Sequence, residues 1–74
     1  MNKKDKLLIE DFYNNFTGNR LKKEDYVNFI DEYGLHKFSR DLVKYQEEEY
    51  SEDDWRMDYA VIMAIYHNKK LELS

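Results

Sequence analysis

The chain has 74 residues, no cysteine and a net charge of −4. This length allows one domain with one core, which buries only about 60% of the surface that the unfolded chain exposes. Neither disulfides nor thiolate metal ligands can stabilise it. The acidic balance argues against direct nucleic-acid binding, which needs clustered Lys and Arg. Seven Tyr, four Phe and one Trp are too many aromatic residues for a disordered chain.

Composition also bears on where the protein works. No apolar stretch approaches the roughly 18 residues that cross a membrane, and the first residues lack the pattern of a secretory signal. We therefore expect a protein that stays in the cytoplasm and contacts no membrane. Heavy use of Lys, Asn, Asp, Glu and Tyr, with only two Ala, is typical of AT-rich genomes. This composition favours a low-GC bacterium or one of its mobile elements as the source.

The first half of the chain predicts two helices. Proline is absent, so helices can run uninterrupted. Apolar residues at i, i+3, i+4 and i+7 predict helices over about 3–16 and 23–33, with a break at Gly18. Gly34 lies where a helix C-terminus favours a positive φ. The two apolar stripes consist of Ile9, Phe12, Tyr13 and Phe16, and of Tyr26, Phe29, Ile30 and Tyr33.

The second half predicts two more helices, over about 36–48 and 52–68. Ser51 is the predicted N-cap of the last one, since the acids that follow it suit the positive end of a helix dipole. The alternative is a three-helix bundle in which residues 35–50 are partly irregular. The third apolar stripe consists of Leu35, Phe38, Leu42 and Tyr45.

The two halves align at an offset of 29 residues. Two helix-loop-helix hairpins packed around one core would explain this alignment, although amphipathic spacing alone accounts for part of it. The predicted fold is therefore an all-α bundle of three to four short helices arranged as two hairpins. The aligned apolar residues are Ile9, Tyr13, Phe16, Leu21, Tyr26 and Ile30 on Phe38, Leu42, Tyr45, Tyr50, Trp55 and Tyr59.

Residues 18–26 resemble the second half of an EF-hand loop and its exiting helix. The resemblance implies a paired helix-loop-helix geometry, with Asp25 at the closing carboxylate position. Calcium also needs carboxylates at the early loop positions, where this chain has a single one. We therefore expect a degenerate EF-hand-like pair that binds no calcium. The early positions would be Asn14, Phe16 and Gly18 in the first unit, and Val43, Tyr45 and Glu47 in the second.

The sequence offers little for catalysis. His36 and His67 are the only histidines, and a histidine base needs a nucleophile or a substrate pocket beside it. There is no cysteine nucleophile, no motif around the serines and no glycine-rich phosphate loop. We expect a protein that is not an enzyme and that carries no cofactor and no metal.

The segment 47–58 is the densest acidic stretch, and it has three interpretations. Its carboxylates could serve helix capping and solubility, or form a recognition surface that attracts a basic partner. A divalent-metal site is the third interpretation, although consecutive acids would point in different directions. The candidate partner-binding residues of this acidic face are Glu47, Glu48, Glu49, Glu52, Asp53, Asp54 and Asp58.

The predicted fourth helix is apolar on two sides. One side is expected to face the core, and the other is either a second core face or an exposed contact surface. The expected core side consists of Trp55, Tyr59, Ile62 and Tyr66. The candidate contact stripe consists of Met57, Val61 and Ile65.

These features predict a non-enzymatic inhibitor or modulator of a larger host protein with a basic surface. Small acidic proteins of phages and mobile elements are similar in type, and many occupy the basic grooves of nucleic-acid-handling proteins. CRISPR, restriction and replication factors are the expected class of target. The alternative is a housekeeping regulatory subunit, or a helical adaptor that forms a homodimer. A metal-dependent enzyme is a third, more distant alternative.

Overall fold

The computed structural model describes residues 2–18 and 20–74, and it confirms the all-α class. No strand is assigned within these ranges. None of their helices is long and apolar enough to cross a membrane. The elements, in chain order, are α1 (Lys3–Thr17), α2 (Lys23–Tyr33), α3 (Leu35–Glu49), a single 3₁₀ turn (Glu52–Asp54) and α4 (Tyr59–Leu73).

Helix α3 is the centre of the bundle and packs against each of the other three helices. The most extensive backbone contacts join alternate helices, α1 with α3 and α2 with α4. Helices α1 and α2 are consecutive, yet they meet mainly through aromatic side chains. The described residues therefore give no sign of EF-hand pairing. Because α3 is regular along its whole length, the alternative with an irregular third helix is wrong.

Aromatic rings fill the part of the core where α1, α2 and α3 meet. The Phe12 ring stacks on Phe29 with 4.7 Å between centroids. It also meets Phe38 edge to face at 4.8 Å. Such pairs add about 0.5–1.5 kcal/mol beyond the apolar area that they bury. The buried apolar residues are Ile9, Phe12, Tyr13, Tyr26, Val27, Ile30, Phe38, Leu42, Tyr45, Met57, Ile62 and Tyr66.

One residue, Gly34, joins α2 to α3. Its backbone N–H donates to the Ile30 carbonyl at 2.8 Å, and its carbonyl accepts from the Phe38 N–H at 2.8 Å. The φ angle of Gly34 is +100°, a region that favours glycine because it lacks a Cβ atom. The predicted positive φ is confirmed, and it produces a sharp corner between the two helices.

The predicted start of the last helix at residue 52 is wrong, and so is the assignment of its N-cap. Helix α4 begins at Tyr59 and continues to Leu73, so the predicted end at about residue 68 is also wrong. Its N-cap is Asp58, whose Oδ1 accepts from the Val61 N–H at 2.8 Å. Ser51 precedes only the 3₁₀ turn, and its hydroxyl donates to the Asp54 carboxylate at 2.6 Å.

A buried glutamine explains why the helix starts so late. Gln46 is completely buried, and its side-chain amide binds the backbone of the segment that follows the 3₁₀ turn. Its Nε2 donates to the Met57 carbonyl at 2.5 Å. Its Oε1 accepts from the N–H groups of Arg56 at 3.1 Å and Met57 at 3.3 Å. With these backbone groups occupied, residues 55–57 stay extended and cannot join a helix.

Candidate interaction surfaces

All seven carboxylates of the acidic face are exposed. They follow a path from the last turn of α3, through the 3₁₀ turn, to the cap of α4. The Gln46 hydrogen bonds fix the extended part of this path against the core. The acidic face is therefore attached to the bundle at both ends and in its middle, rather than hanging as a loose loop.

Four of the seven carboxylates have partners within the chain. Lys6 of α1 contacts Glu49 at 2.6 Å and Glu48 at 3.6 Å. The hydrogen bond to Glu49 is the main reason that the pKa of Lys6 is raised. Asp54 accepts from Ser51, and Asp58 caps α4. Capping thus occurs at Asp58, and not through the acids that follow Ser51.

The other three carboxylates are Glu47, Glu52 and Asp53. They make no side-chain hydrogen bond and no ion pair within residues 2–18 and 20–74. Their charges are directed into solvent, where a basic partner could approach them. These three are the carboxylates of the acidic face that internal structure does not account for.

The candidate contact stripe is not a single surface. Met57 is only 4% exposed and belongs to the core, in the extended segment before α4. Ile65 is half-buried and packs against the core. Val61 alone is exposed, at 39%. The sequence prediction placed all three on one helix face because it started the helix at residue 52, and residue 57 lies outside α4.

The predicted core side of α4 is half right. Ile62 and Tyr66 are buried, and the Tyr66 hydroxyl donates to Asp31 of α2. Trp55 is half-buried, and its Nε1 has no hydrogen-bond partner. Tyr59 is 40% exposed, and its hydroxyl lies 2.5 Å from Nδ1 of His36.

Each of the two histidines contacts a tyrosine ring or hydroxyl. His36 meets Tyr59 in an exposed contact, and the His67 ring lies against Tyr66. No group of three or more His, Asp or Glu side chains is close enough to hold a metal ion in the described part of the chain. The His36 contact joins α3 to α4, whereas the His67 contact lies within α4.

The structure also contains a surface that the sequence prediction missed, a groove between α1 and α2. The groove continues along α1 into an open apolar patch around Leu7, which is 56% exposed. A signal for it exists in the sequence, because Leu7-Leu8-Ile9 has more apolar residues than one helix face can bury. The residues lining the groove are Leu8, Asp11, Phe12, Asn15, Leu21, Asp25, Asn28, Phe29 and Glu32.

A second missed surface lies on the outer side of α4. Ala60, Ala64 and Leu71 share one side of the helix, because residues four and seven apart lie above one another. All three are exposed, and Leu71 is the most exposed large apolar residue of the described chain at 72%.

Comparison of the chain with known protein families, characterised proteins and solved structures finds no match.

Proposed function

We propose that this protein is a small, non-enzymatic binding protein that inhibits or modulates a larger protein with a basic surface. The observation that carries the proposal is the acidic face, seven exposed carboxylates on a segment that a buried Gln46 holds against the core. A charged surface that is already ordered loses less entropy on binding than a loose tail. Its charge raises the rate of encounter with a basic partner.

The target class rests on composition and size. A chain of 74 residues with a net charge of −4 suits occupation of a basic groove that otherwise binds nucleic acid. The amino-acid composition, which is typical of AT-rich genomes, supports a phage or mobile element acting in the cytoplasm of its bacterial host. A CRISPR, restriction or replication factor is the target that this combination favours.

The outer side of α4 favours a second candidate function, a helical adaptor or regulatory subunit that pairs with itself. Small residues such as Ala60 and Ala64 let two helices approach closely, and Leu71 would lose its exposed area on pairing. The oligomeric state in solution tests this candidate. A concentration-dependent dimer that Leu71→Lys dissolves would favour the adaptor over the monomeric inhibitor.

The main experiment compares two charge variants as bait for bacterial cell extracts. Glu52→Lys with Asp53→Lys reverses two carboxylates of the acidic face that have no internal partner. Glu24→Lys with Glu72→Lys makes the same change in net charge on α2 and α4, away from the acidic face, and removes one exposed ion pair, between Glu72 and Lys23. The captured protein is identified by mass spectrometry and purified, and its association rate is then measured as a function of salt.

The proposal predicts that the wild type and the control variant capture the same basic protein, and that the Glu52 and Asp53 reversals slow association. Association of the wild type should also slow as salt rises, because exposed charges are screened within about 10 Å at 0.1 M ionic strength. Equal association by both variants at every salt concentration would show that the acidic face serves solubility only.

A further inference from the structure

The groove between α1 and α2 is separate from the acidic face. On α1, Leu8, Asp11 and Asn15 are spaced by three and four residues, so they share one flank of the helix. Lys6, which contacts Glu48 and Glu49, lies about half a turn away around α1. A partner in the groove would therefore use a different side of the molecule from one bound at the acidic face.

The aromatic core explains why this groove stays open. The Phe12 and Phe29 rings stack between α1 and α2, and Phe12 also stacks on Phe16 with 5.9 Å between centroids. Rings of this size hold the two backbones apart. Leu8 on α1 stays 41% exposed beside the groove, and Leu21, in the loop before α2, packs against the core. The result is a groove of about 340 Å³ that has an apolar floor and is open to solvent.

The walls of the groove are acidic. Asp11 stands on α1, and Asp25 and Glu32 stand on the facing side of α2. All three are exposed, and none makes an ion pair within the described residues. In the described part of the chain, their carboxylates accept a single hydrogen bond, a long one of 3.5 Å from the Asn15 side chain to Asp11. Lys3 and Lys4 lie beyond the groove, beside the open patch at the start of α1.

We propose that this groove is a docking site for a basic amphipathic helix of a partner protein. Two apolar side chains of that helix would cover the floor between Leu8 and Leu21, and its Lys or Arg residues would meet Asp11, Asp25 and Glu32. An acidic helix is repelled by these walls, and a wholly apolar one leaves the three carboxylates without a counter-charge. Charge complementarity therefore selects a cationic ligand.

The length of α1 sets the length of the ligand. Lys3 to Asn15 spans twelve residue steps, or about 18 Å, which matches a docked helix of about three turns. The helix would place apolar anchors at i, i+4 and i+7. Its cations belong beside the groove walls and away from Lys3 and Lys4, so the end over Leu7 should be neutral.

The test uses a defined probe, a twelve-residue helical peptide with leucines at i, i+4 and i+7 and lysines beside the first two leucines. A matched peptide replaces each lysine with glutamate. Binding is followed by nuclear magnetic resonance of the ¹⁵N-labelled full chain. The lysine peptide should shift amide signals of residues 8–15 and 25–32, and the glutamate peptide should shift none of them.

Variants then locate the site. Leu8→Ser should weaken binding of the lysine peptide about tenfold, because the anchor contact removes a leucine from water. Asp25→Asn with Glu32→Gln should weaken it and reduce its dependence on salt. Two controls should bind as the wild type does: Leu71→Ser, which removes an exposed leucine elsewhere, and Glu52→Gln with Asp53→Asn, which neutralises two of the seven carboxylates of the acidic face.

Three results would overturn the proposal. The lysine peptide could shift signals of residues 47–58 alone, which would make the acidic face its site. The glutamate peptide could bind equally well, which would remove the argument from charge. The protein alone could form a dimer that Leu8→Ser dissolves, which would make a second copy the occupant. Failure of the groove leaves the acidic-face proposal standing, because the Glu52 and Asp53 variants test that proposal separately.

Discussion

The two observed connections within the predicted hairpins, residues 18–22 and residues 50–58, are held in different ways. Each one joins helices that the apolar spacing assigns to a hairpin. The first is a short loop in which the Arg20 N–H donates to the Asn15 carbonyl at 2.9 Å, and it leaves an open groove between its helices. The second is longer, and a completely buried side chain from α3 binds it to the core.

A single pair of aligned residues accounts for the difference. At the offset of 29, Thr17 corresponds to Gln46. The Thr17 hydroxyl donates back to the Tyr13 carbonyl of its own helix at 2.9 Å, whereas the Gln46 amide reaches across to Arg56 and Met57. A hydroxyl is too short for that span. The comparison teaches that one buried polar residue can override a repeat that apolar spacing predicts.

The largest effect should appear at the aligned pair Tyr26 and Trp55. Tyr26 is completely buried between α1 and α4, whereas Trp55 is half-buried. We expect Tyr26→Ala to lower the free energy of unfolding by about 4 kcal/mol and Trp55→Ala by about 2 kcal/mol. Urea unfolding of both variants measures which one loses more free energy of unfolding. Equal losses would mean that the second half buries its aromatic residue as deeply as the first.

The next effect concerns the aligned pair Gln46 and Thr17. Gln46→Leu removes the partners of two N–H groups and one carbonyl in the core, so we expect a loss of about 3 kcal/mol. Thr17→Val is the matched control and should cost less than about 0.5 kcal/mol, since its bond lies within its own helix. Urea unfolding of the two variants measures both losses of free energy. A Gln46→Leu variant as stable as the wild type would refute the role of the glutamine.

A smaller effect separates the two possible caps of the last helix. Asp58→Ala should cost about 1 kcal/mol because the Val61 N–H loses its acceptor. Ser51→Ala should change the free energy of unfolding much less, since the Ser51 hydroxyl binds only the exposed Asp54 carboxylate. Thermal unfolding monitored by circular dichroism compares the two. A larger loss for Ser51→Ala would instead support the sequence prediction that the helix starts at residue 52.

The smallest effect concerns the Tyr26 hydroxyl, which is buried without a hydrogen-bond partner. Tyr26→Phe removes the cost of keeping that hydroxyl dry, so we expect a gain of about 0.5 kcal/mol at neutral pH. Burial also raises the pKa of Tyr26 above its ordinary value of 10.0. The unfolded chain therefore loses this proton first, and the wild type loses stability relative to the variant as pH rises above about 10.

Urea titrations of both proteins at several pH values measure that difference. A constant gap between the wild type and Tyr26→Phe from neutral to alkaline pH would show that the hydroxyl ionises as easily in the folded protein as in the unfolded one.

Apolar spacing was sufficient to predict the first three helices to within one residue at each end. These helices pack mainly through one face, and the residues of that face are apolar and recur in the sequence at intervals of three and four. The start of α4 could not be predicted in this way. Ser51 and Asp58 are both good N-cap residues, and the choice between them depends on Gln46, which is a tertiary contact.

For the candidate surfaces, the sequence could predict only the position of the exposed charged residues. Exposure of the acidic carboxylates follows from their hydration, so Glu47 and its neighbours lie where the sequence suggests. The burial of Met57 depends on the extended segment, and the groove depends on how far the Phe12 and Phe29 rings separate two helices. Both features depend on tertiary contacts, and the spacing of apolar residues along the sequence does not predict such contacts.

The position of Trp55 gives the molecule a fluorescent reporter of its own. It is the single tryptophan of the chain, and it lies in the extended segment that Gln46 binds, outside every α-helix. Its emission therefore responds to solvent at this segment, while circular dichroism responds to the helices. If the segment opens before the bundle unfolds, the emission should change at a lower urea concentration than the helical signal. A stopped-flow instrument could then time the detachment of the acidic face in the unmodified protein.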